Sequence, residues 1–387
     1  MKKVLISVAA CASSLCVGAA YGAQTQAYLG IFAETRSMKM IGMPDMSEML
    51  KRIPASVLAN NPALAGMAGG ASRGLTVRLW SPGLAPQEAT AALAIPAGLK
   101  LGDHLDLELY RPEPEKGAGG PGQSSENSGA TPRDFIIKYY WGSSPTVKPG
   151  QPITVDLNQM MTPEMIANMH AAMKHGARPG GRSQWFYKPD WTTGHWPGSS
   201  SGPGVIDKEA ALTGTYTLSS SYTGKVALDV PENVNFLAPL ELTSPPLSAP
   251  PPLDQPIAFH WNAVPQVLGY NMMLTGFENE NTLIIWQSSE VRADLGVDWN
   301  YMQMSQVREL VDKTVIMAGS RTDVTVPTGI FANADIVSMH MIGYGPGSAR
   351  MDSQPLPRLQ TKTTLTMMLG GKKMPKMNGR GRPGGSS

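Results

Sequence analysis

The chain has 387 residues, of which 42% are hydrophobic and 16% are charged, and its formal net charge at pH 7 is +2. This length allows a large hydrophobic core and is sufficient for two domains. The balanced charge provides no extended positive field, which argues against a nucleic-acid-binding protein.

Residues 1–22 have the pattern of a signal peptide. A basic start at residues 2–3 is followed by an apolar stretch over residues 4–20 and by small residues before Ala23. The apolar stretch is shorter than the ~20 residues that a membrane span needs. We therefore expect a periplasmic or secreted protein that has no transmembrane segment after cleavage.

A lipid anchor is the alternative interpretation of this segment. Val8 to Cys11 (VAAC) resembles a bacterial lipobox, which predicts a lipoprotein anchored through Cys11. Cys16 is the second of the two cysteines. Cleavage near residue 22 would leave the mature chain without a thiol for a disulfide, a metal site or a nucleophile.

Short apolar runs separated by turn residues predict a mainly β protein. The sequence contains 41 glycines and 33 prolines, and most of them lie between these runs. In HLDLELY, the residues Leu105, Leu107 and Leu109 alternate with Asp106 and Glu108, as in a strand with one buried face. We predict two β-sandwich-like domains with short helical inserts, disordered loops and a disordered tail.

The N-terminal β domain is predicted to span residues 23–236. Apolar residues at helical spacing predict two helical inserts within it, at about 44–66 and about 163–175. Residues 111–133 have no aliphatic side chain larger than alanine, so we predict a disordered loop there. A hairpin with its turn near residues 222–224 is expected towards the end of the domain.

A proline-rich connector, residues 243–256, marks the change to a second domain over residues 237–350. There, IAFHWNAVPQVLGYNMMLTG contains a strand that ends at Trp261 and a strand that begins near Tyr270. This pattern resembles fibronectin type III modules over about residues 240–350. The resemblance implies a β-sandwich fold and no activity.

Two further segments complete the chain. QMSQVRELVDK predicts a helix that interrupts the fibronectin type III pattern. Residues 351–387 are predicted to form a strand, QTKTTLTMML, followed by a basic disordered tail.

Three phrases carry a second resemblance: YYWGSSPTVKPGQP, TTGHWPG and LIIWQSSE. As a set they resemble a family of exported proteobacterial proteins without an established function. The resemblance supports the export prediction and the layout in two parts, and it implies no substrate or functional residue.

The segment MMTPEMIANMHAAMKHG, residues 160–176, contains five methionines and two histidines. Thioethers are soft ligands that suit Cu(I) or Ag(I). The alternative is that methionine only packs here, and the spread of 24 methionines over the chain favours packing. We therefore expect no cofactor, with Cu(I) or Ag(I) as the alternative. The corresponding metal ligands would be Met161, Met165, Met169, His170 and Met173.

An aromatic segment, SQWFYKPDWTTGHWPG, is the best sequence-level candidate for a ligand site. Aromatic rings on a loop of a β protein can stack on sugar rings. A glycan site predicts that Trp191 and Trp196 share one accessible face; alternatively, the aromatic residues cover a sheet edge or pack between the domains. The predicted ligand-binding residues are Trp185, Tyr187, Trp191, His195 and Trp196.

Two motifs of common enzymes do not occur in the chain: there is no H-E-x-x-H and no G-x-x-x-x-G-K-[ST] pattern. We predict a non-catalytic binding or structural protein of the cell envelope, with a glycan or a protein as its partner and no affinity for nucleic acid. One alternative is a periplasmic Cu(I)- or Ag(I)-binding protein. Another is an envelope polysaccharide hydrolase, because any two of the 30 acidic residues could form the catalytic carboxylate pair.

Overall fold

The computed structural model describes residues 27–41, 71–111, 135–156, 191–198, 202–279, 281–293, 299–300, 302–350 and 357–372. About half of these residues lie in strands, and the described part has a single α-helix, so the mainly β class is confirmed. The helical inserts predicted at 44–66 and 163–175, the predicted loop after Arg111, and residues 373–387 lie outside the described residues.

The strands vary in length from two residues to fourteen, and the longest ones form the centre of the structure. In chain order they are β1 (Tyr28–Met40), β2 (Ser72–Ser81), β3 (Ala91–Ala94), β4 (His104–Asp106), β5 (Glu108–Tyr110), β6 (Ile136–Trp141), β7 (Ile153–Asp156), β8 (Thr192–Trp196), β9 (Gly204–Ile206), β10 (Gly214–Ser220), β11 (Val226–Val230), β12 (Leu242–Ser244), β13 (Ile257–Trp261), β14 (Gly269–Glu278), β15 (Thr282–Gln287), β16 (Met317–Ala318), β17 (Asp323–Val326), β18 (Ile336–Ala349) and β19 (Arg358–Gly370). The helix α1 (Met304–Asp312) lies between β15 and β16.

Twelve strands form one large sheet, whose main path is β5-β8-β2-β1-β19-β18-β14-β15-β6-β7, with β9 paired to β2 and β16 paired to β14. Along this path β1 and β19 are parallel, as are β15 and β6, and the other pairs are antiparallel. Two smaller sheets have the orders β11-β10-β3-β4 and β12-β13-β17.

The two smaller sheets both pack on the same face of the large sheet, here called the inner face. The four-stranded sheet contributes Leu218 to an N-terminal core that also contains Leu359 of β19. The three-stranded sheet contributes Phe259 to a C-terminal core that contains Leu365, also of β19. Because residues 359 and 365 are an even number of positions apart, they point to one face. Two β-sandwiches therefore share a single large sheet.

The large sheet continues across the predicted domain boundary at residues 236–237. β6 precedes this boundary and pairs with β15, which follows it. β1 and β19 are paired over 11 residues, although they come from opposite ends of the described chain. The division into two domains therefore stays a prediction, whereas the two cores are separate groups of side chains.

In the segment HLDLELY, the alternation of leucines with acidic residues predicts the buried side chains correctly, but the single strand that it predicts is wrong. Leu105 and Leu107 are buried, as predicted. The single predicted strand is, however, interrupted at Leu107, because β4 pairs with β3 in the four-stranded sheet and β5 pairs with β8 in the large sheet. The chain passes from one layer of the sandwich to the other at this point.

Three local predictions are confirmed. β10 and β11 form the expected antiparallel hairpin around residues 222–224. The helix predicted at QMSQVRELVDK is α1, and its first turn has a capping box between Gln303 and Gln306. The strand predicted at QTKTTLTMML is part of β19.

A connecting segment around Leu237 crosses the inner face between the two cores. The Thr35 hydroxyl of β1 donates a hydrogen bond of 2.7 Å to the Leu237 carbonyl, and this pair is buried. Gly345 of β18 allows the close approach, since a Cβ there would lie 2.4 Å from the Thr361 hydroxyl oxygen and 2.8 Å from Leu237 Cδ1.

Thr35→Val is expected to lower the free energy of unfolding by about 1–3 kcal/mol, because it leaves the buried Leu237 carbonyl without its donor. Urea-induced unfolding at pH 7 measures the change. Thr243→Val, at an exposed position of β12, is the matched control and should change stability by less than about 0.5 kcal/mol. Equal effects of the two substitutions would show that the crossing segment is not held at Thr35.

Candidate functional site

The face of the large sheet opposite the two cores, here called the outer face, carries aromatic side chains at one edge. Tyr110, Thr193, Trp80 and Tyr28 are direct partners on β5, β8, β2 and β1, so they form a row across four strands. Trp191, which precedes β8, stacks on Tyr28 with ring centroids 5.4 Å apart and an interplanar angle of 21°. These five residues are here called the aromatic row.

Exposure differs along the aromatic row. Trp80 is buried, together with Phe32 of β1. Tyr28 and Trp191 are half-buried and pack against that pair. Tyr110, on the edge strand β5, is 40% exposed. The aromatic row is therefore closely packed at Tyr28 and Trp80 and accessible at Tyr110, on the edge strand.

A polar row lies beside the aromatic row on the same strands. Glu108, His195 and Arg78 are successive register partners on β5, β8 and β2. Glu108 is exposed, whereas His195 and Arg78 are half-buried. His195 Nε2 lies 2.9 Å from the Thr193 hydroxyl, so the two rows are directly linked. Two residues along a strand correspond to a spacing of about 7 Å between the rows.

Trp196 does not belong to this surface. It pairs with Val77 of β2, whose side chain lies in the N-terminal core, and it packs against that core itself. A Cβ at Gly204 would lie 2.4 Å from Trp196 Cη2, so the indole covers this glycine. Trp191 and Trp196 are thus on opposite faces of the sheet, so the shared accessible face that a glycan site at these two residues predicts is not formed.

Of the other four predicted ligand-binding residues, two lie within the described residues and two lie outside them. Trp191 and His195 lie on the outer face, and their role in binding stays a prediction. Trp185 and Tyr187 lie outside the described residues. Sequence reasoning missed Tyr28, Arg78 and Tyr110, because they become neighbours of Trp191 and His195 only through strand pairing.

The predicted methionine and histidine metal site, with Met161, Met165, Met169, His170 and Met173, lies outside the described residues. Among the described residues, no group of three or more histidine, aspartate or glutamate side chains is placed to hold a metal ion. Among the described residues, no helix is long and apolar enough to cross a membrane, and α1 has only nine residues.

A shallow pocket opens on the outer face beside α1, between Met302, Met304 and Lys362. Lys362 Nζ lies 3.4 Å from Glu34 Oε2 and 3.4 Å from Asn300 Oδ1. The cavity volume of about 20 Å³ is sufficient for about one water molecule. Small-molecule sites have volumes of roughly 300–1,000 Å³, so this pocket is too small for such a ligand.

Comparison with known proteins finds no family model that matches the chain and no curated protein with significant similarity. Trp261 and Tyr270 do meet edge to face, with ring centroids 5.5 Å apart. The resemblance to fibronectin type III modules and the resemblance to exported proteobacterial proteins both remain predictions.

Proposed function

We propose that this chain is an exported, non-catalytic binding protein of the cell envelope, and that its outer face at β5, β8, β2 and β1 binds a polysaccharide. The observation that carries the proposal is the pairing of the aromatic row with the polar row. A sugar ring has an apolar face that packs on an aromatic ring and hydroxyl groups at its rim that form hydrogen bonds. The pattern of residues 1–22 supports export.

The shape of the surface favours a chain of sugars over a single small molecule. The aromatic row crosses four strands, which corresponds to about 14 Å at the usual strand spacing. A ligand lying along the row would meet Tyr110 first and then the half-buried Trp191 and Tyr28.

The polar row supplies the hydrogen-bonding groups that such a ligand needs. The Arg78 guanidinium is a donor in a fixed plane, and the Glu108 carboxylate is an acceptor. They flank His195 on neighbouring strands of the same face. Hydrogen bonds to charged groups are stronger than neutral ones, so these side chains would fix the orientation of sugar hydroxyls.

Tyr110→Ala tests the proposal, with purified peptidoglycan sacculi as the probe and co-sedimentation as the measurement. We expect the variant to bind about two- to tenfold more weakly, because an aromatic contact contributes about 0.5–1.5 kcal/mol. Arg78→Gln should weaken binding as well. Ile336→Ala removes an exposed apolar side chain at the start of β18 and is the matched control, for which we expect unchanged binding.

Thermal unfolding of each variant separates binding from folding. A Tyr110→Ala protein with normal stability and parental affinity would contradict the proposed surface. A parent protein that does not sediment with sacculi would contradict peptidoglycan as the polysaccharide.

A further inference from the structure

An apolar row crosses five neighbouring strands on the outer face of the large sheet. Its members are register partners from each strand to the next. In order across the sheet they are Ile336 of β18, Phe277 of β14, Leu283 of β15, Ile137 of β6 and Val155 of β7. Ile285 and Ile153 lie two residues along β15 and β7 on the same face. These seven residues are here called the apolar stripe.

The apolar stripe is separate from the hydrophobic cores. Ile336 is 43% exposed, and the other six residues are half-buried. None of the seven belongs to a hydrophobic cluster that the described residues form. The adjacent Ile284 and Val337 point inward and are buried in the C-terminal core, and α1 packs on the outer face elsewhere, near Ile342 and Tyr344. Adjacent apolar side chains at a surface are typical of an interaction site.

The apolar stripe lies beside the point where the chain leaves the large sheet after β7. β7 ends at Asp156 on one edge of this sheet, and the next described residue, Trp191, precedes β8 near the opposite edge. The two strands are eight positions apart in the sheet, which corresponds to about 38 Å at the usual spacing. Because the two smaller sheets cover the inner face, the direct route between these two ends is over the outer face.

The sequence between these two ends contains a segment whose length and composition match the apolar stripe. It is the segment 163–175, which lies outside the described residues and which the sequence predicts to be helical. A helix of this length spans about 20 Å, and five neighbouring strands span about 19 Å. Met165, Met169 and Met173 recur at every fourth position and would share one side of such a helix. Flexible methionine side chains pack well on the uneven surface that branched side chains form.

We propose that the apolar stripe is the docking surface for the segment 163–175 of the same chain, with Met165, Met169 and Met173 against it. These methionines are then packing residues and not metal ligands. A second copy of the chain is a poorer fit, because a stable interface between proteins buries about 800 Å² and about 20–30 residues on each side. The docking surface lies at the β7 end of the large sheet and the proposed polysaccharide surface at the β5 end, so the two proposals are independent.

Methyl NMR of the full chain tests the contact directly. The methyl groups of methionine, isoleucine, leucine and valine carry the ¹³C label. We expect nuclear Overhauser effects between the methyl groups of Met165, Met169 and Met173 and those of the apolar stripe, such as Ile137. Met339, which is buried in the C-terminal core behind the sheet, is the internal control and should show no effect with Ile137. The absence of any effect between the three methionines and the apolar stripe would overturn the proposal.

A mixed sample separates docking within one chain from docking between two copies. Half of the molecules carry labelled methionine, and the other half carry labelled isoleucine, leucine and valine. Effects that arise within one chain disappear in this sample, because no molecule has both labels, and we expect this result. Effects that persist would assign the apolar stripe to a second copy and would contradict the proposal.

Two variants with three glutamates each test which side of the predicted helix docks. The first variant carries Met165→Glu, Met169→Glu and Met173→Glu. The control carries Ala167→Glu, Ala171→Glu and Lys174→Glu, on the other side of the helix. We expect the methyl resonances of the apolar stripe to shift in the first variant, because charged side chains are costly to bury, and to stay in place in the control. Resonances that stay in place in both variants would overturn the proposal, and the spectra of the parent protein do not depend on how well either variant folds.

Discussion

Trp286→Ala is expected to lower the free energy of unfolding by about 3–5 kcal/mol. Trp286 of β15 is fully buried in the C-terminal core. Its indole Nε1 donates a hydrogen bond of 3.1 Å to the carbonyl of Gly142, just after β6. Alanine would leave both a cavity and a buried carbonyl without its donor. Urea-induced unfolding at pH 7, followed by far-ultraviolet circular dichroism, measures the effect.

Trp286→Phe separates the loss of volume from the loss of the hydrogen bond, and Val291→Ala is the control. Trp286→Phe retains much of the ring volume and removes the donor, so its cost should be smaller than that of alanine. Val291→Ala, at a residue that is 42% exposed, should change stability by less than about 0.5 kcal/mol. A loss below about 1 kcal/mol for Trp286→Ala would show that the core is not closely packed around this residue.

The alternation of the sequence predicts which side chains are buried, but it does not predict which strands pair. Leu105 and Leu107 are both buried as expected, yet β4 and β5 belong to different sheets. The parallel pairing of β1 with β19 joins residues more than 300 positions apart. Such long-range pairing depends on the packing of the whole molecule, and no local pattern contains it.

The candidate polysaccharide surface was predictable only in part for the same reason. Trp191 and His195 could be selected because they lie in one aromatic segment. Trp196 lies in the same segment but points to the inner face, since one position along a strand reverses the direction of a side chain. Tyr110 and Arg78 reach this surface from other strands, so only the register reveals them.

A pH above about 10 is expected to destabilise the fold. Tyr139, Tyr216 and Tyr270 are buried. Burial raises the pKa of all three phenols above the usual value of 10.0, although hydrogen bonds partly oppose this for Tyr139 and Tyr270. In the unfolded chain these groups lose their protons near pH 10, whereas the folded protein retains them. The unfolded state then binds fewer protons, so stability decreases as the pH rises.

Below pH 10 the three phenols are neutral in both states, so this effect is absent at neutral pH. Above it, each group that stays neutral in the folded protein lowers the stability by about 1.4 kcal/mol per pH unit. Urea-induced unfolding between pH 7 and pH 11 measures this slope.

Tyr216→Phe shows whether the buried phenols cause the slope. Tyr216 donates a hydrogen bond of 2.9 Å to the Leu212 carbonyl, so its removal should cost about 1 kcal/mol at pH 7. Above pH 10 the variant should lose stability less steeply than the parent, because one phenol whose pKa is raised by burial is absent. The stability curves of the two proteins should therefore converge as the pH rises. Curves that remain parallel from pH 7 to pH 11 would assign the alkaline loss to groups other than Tyr216.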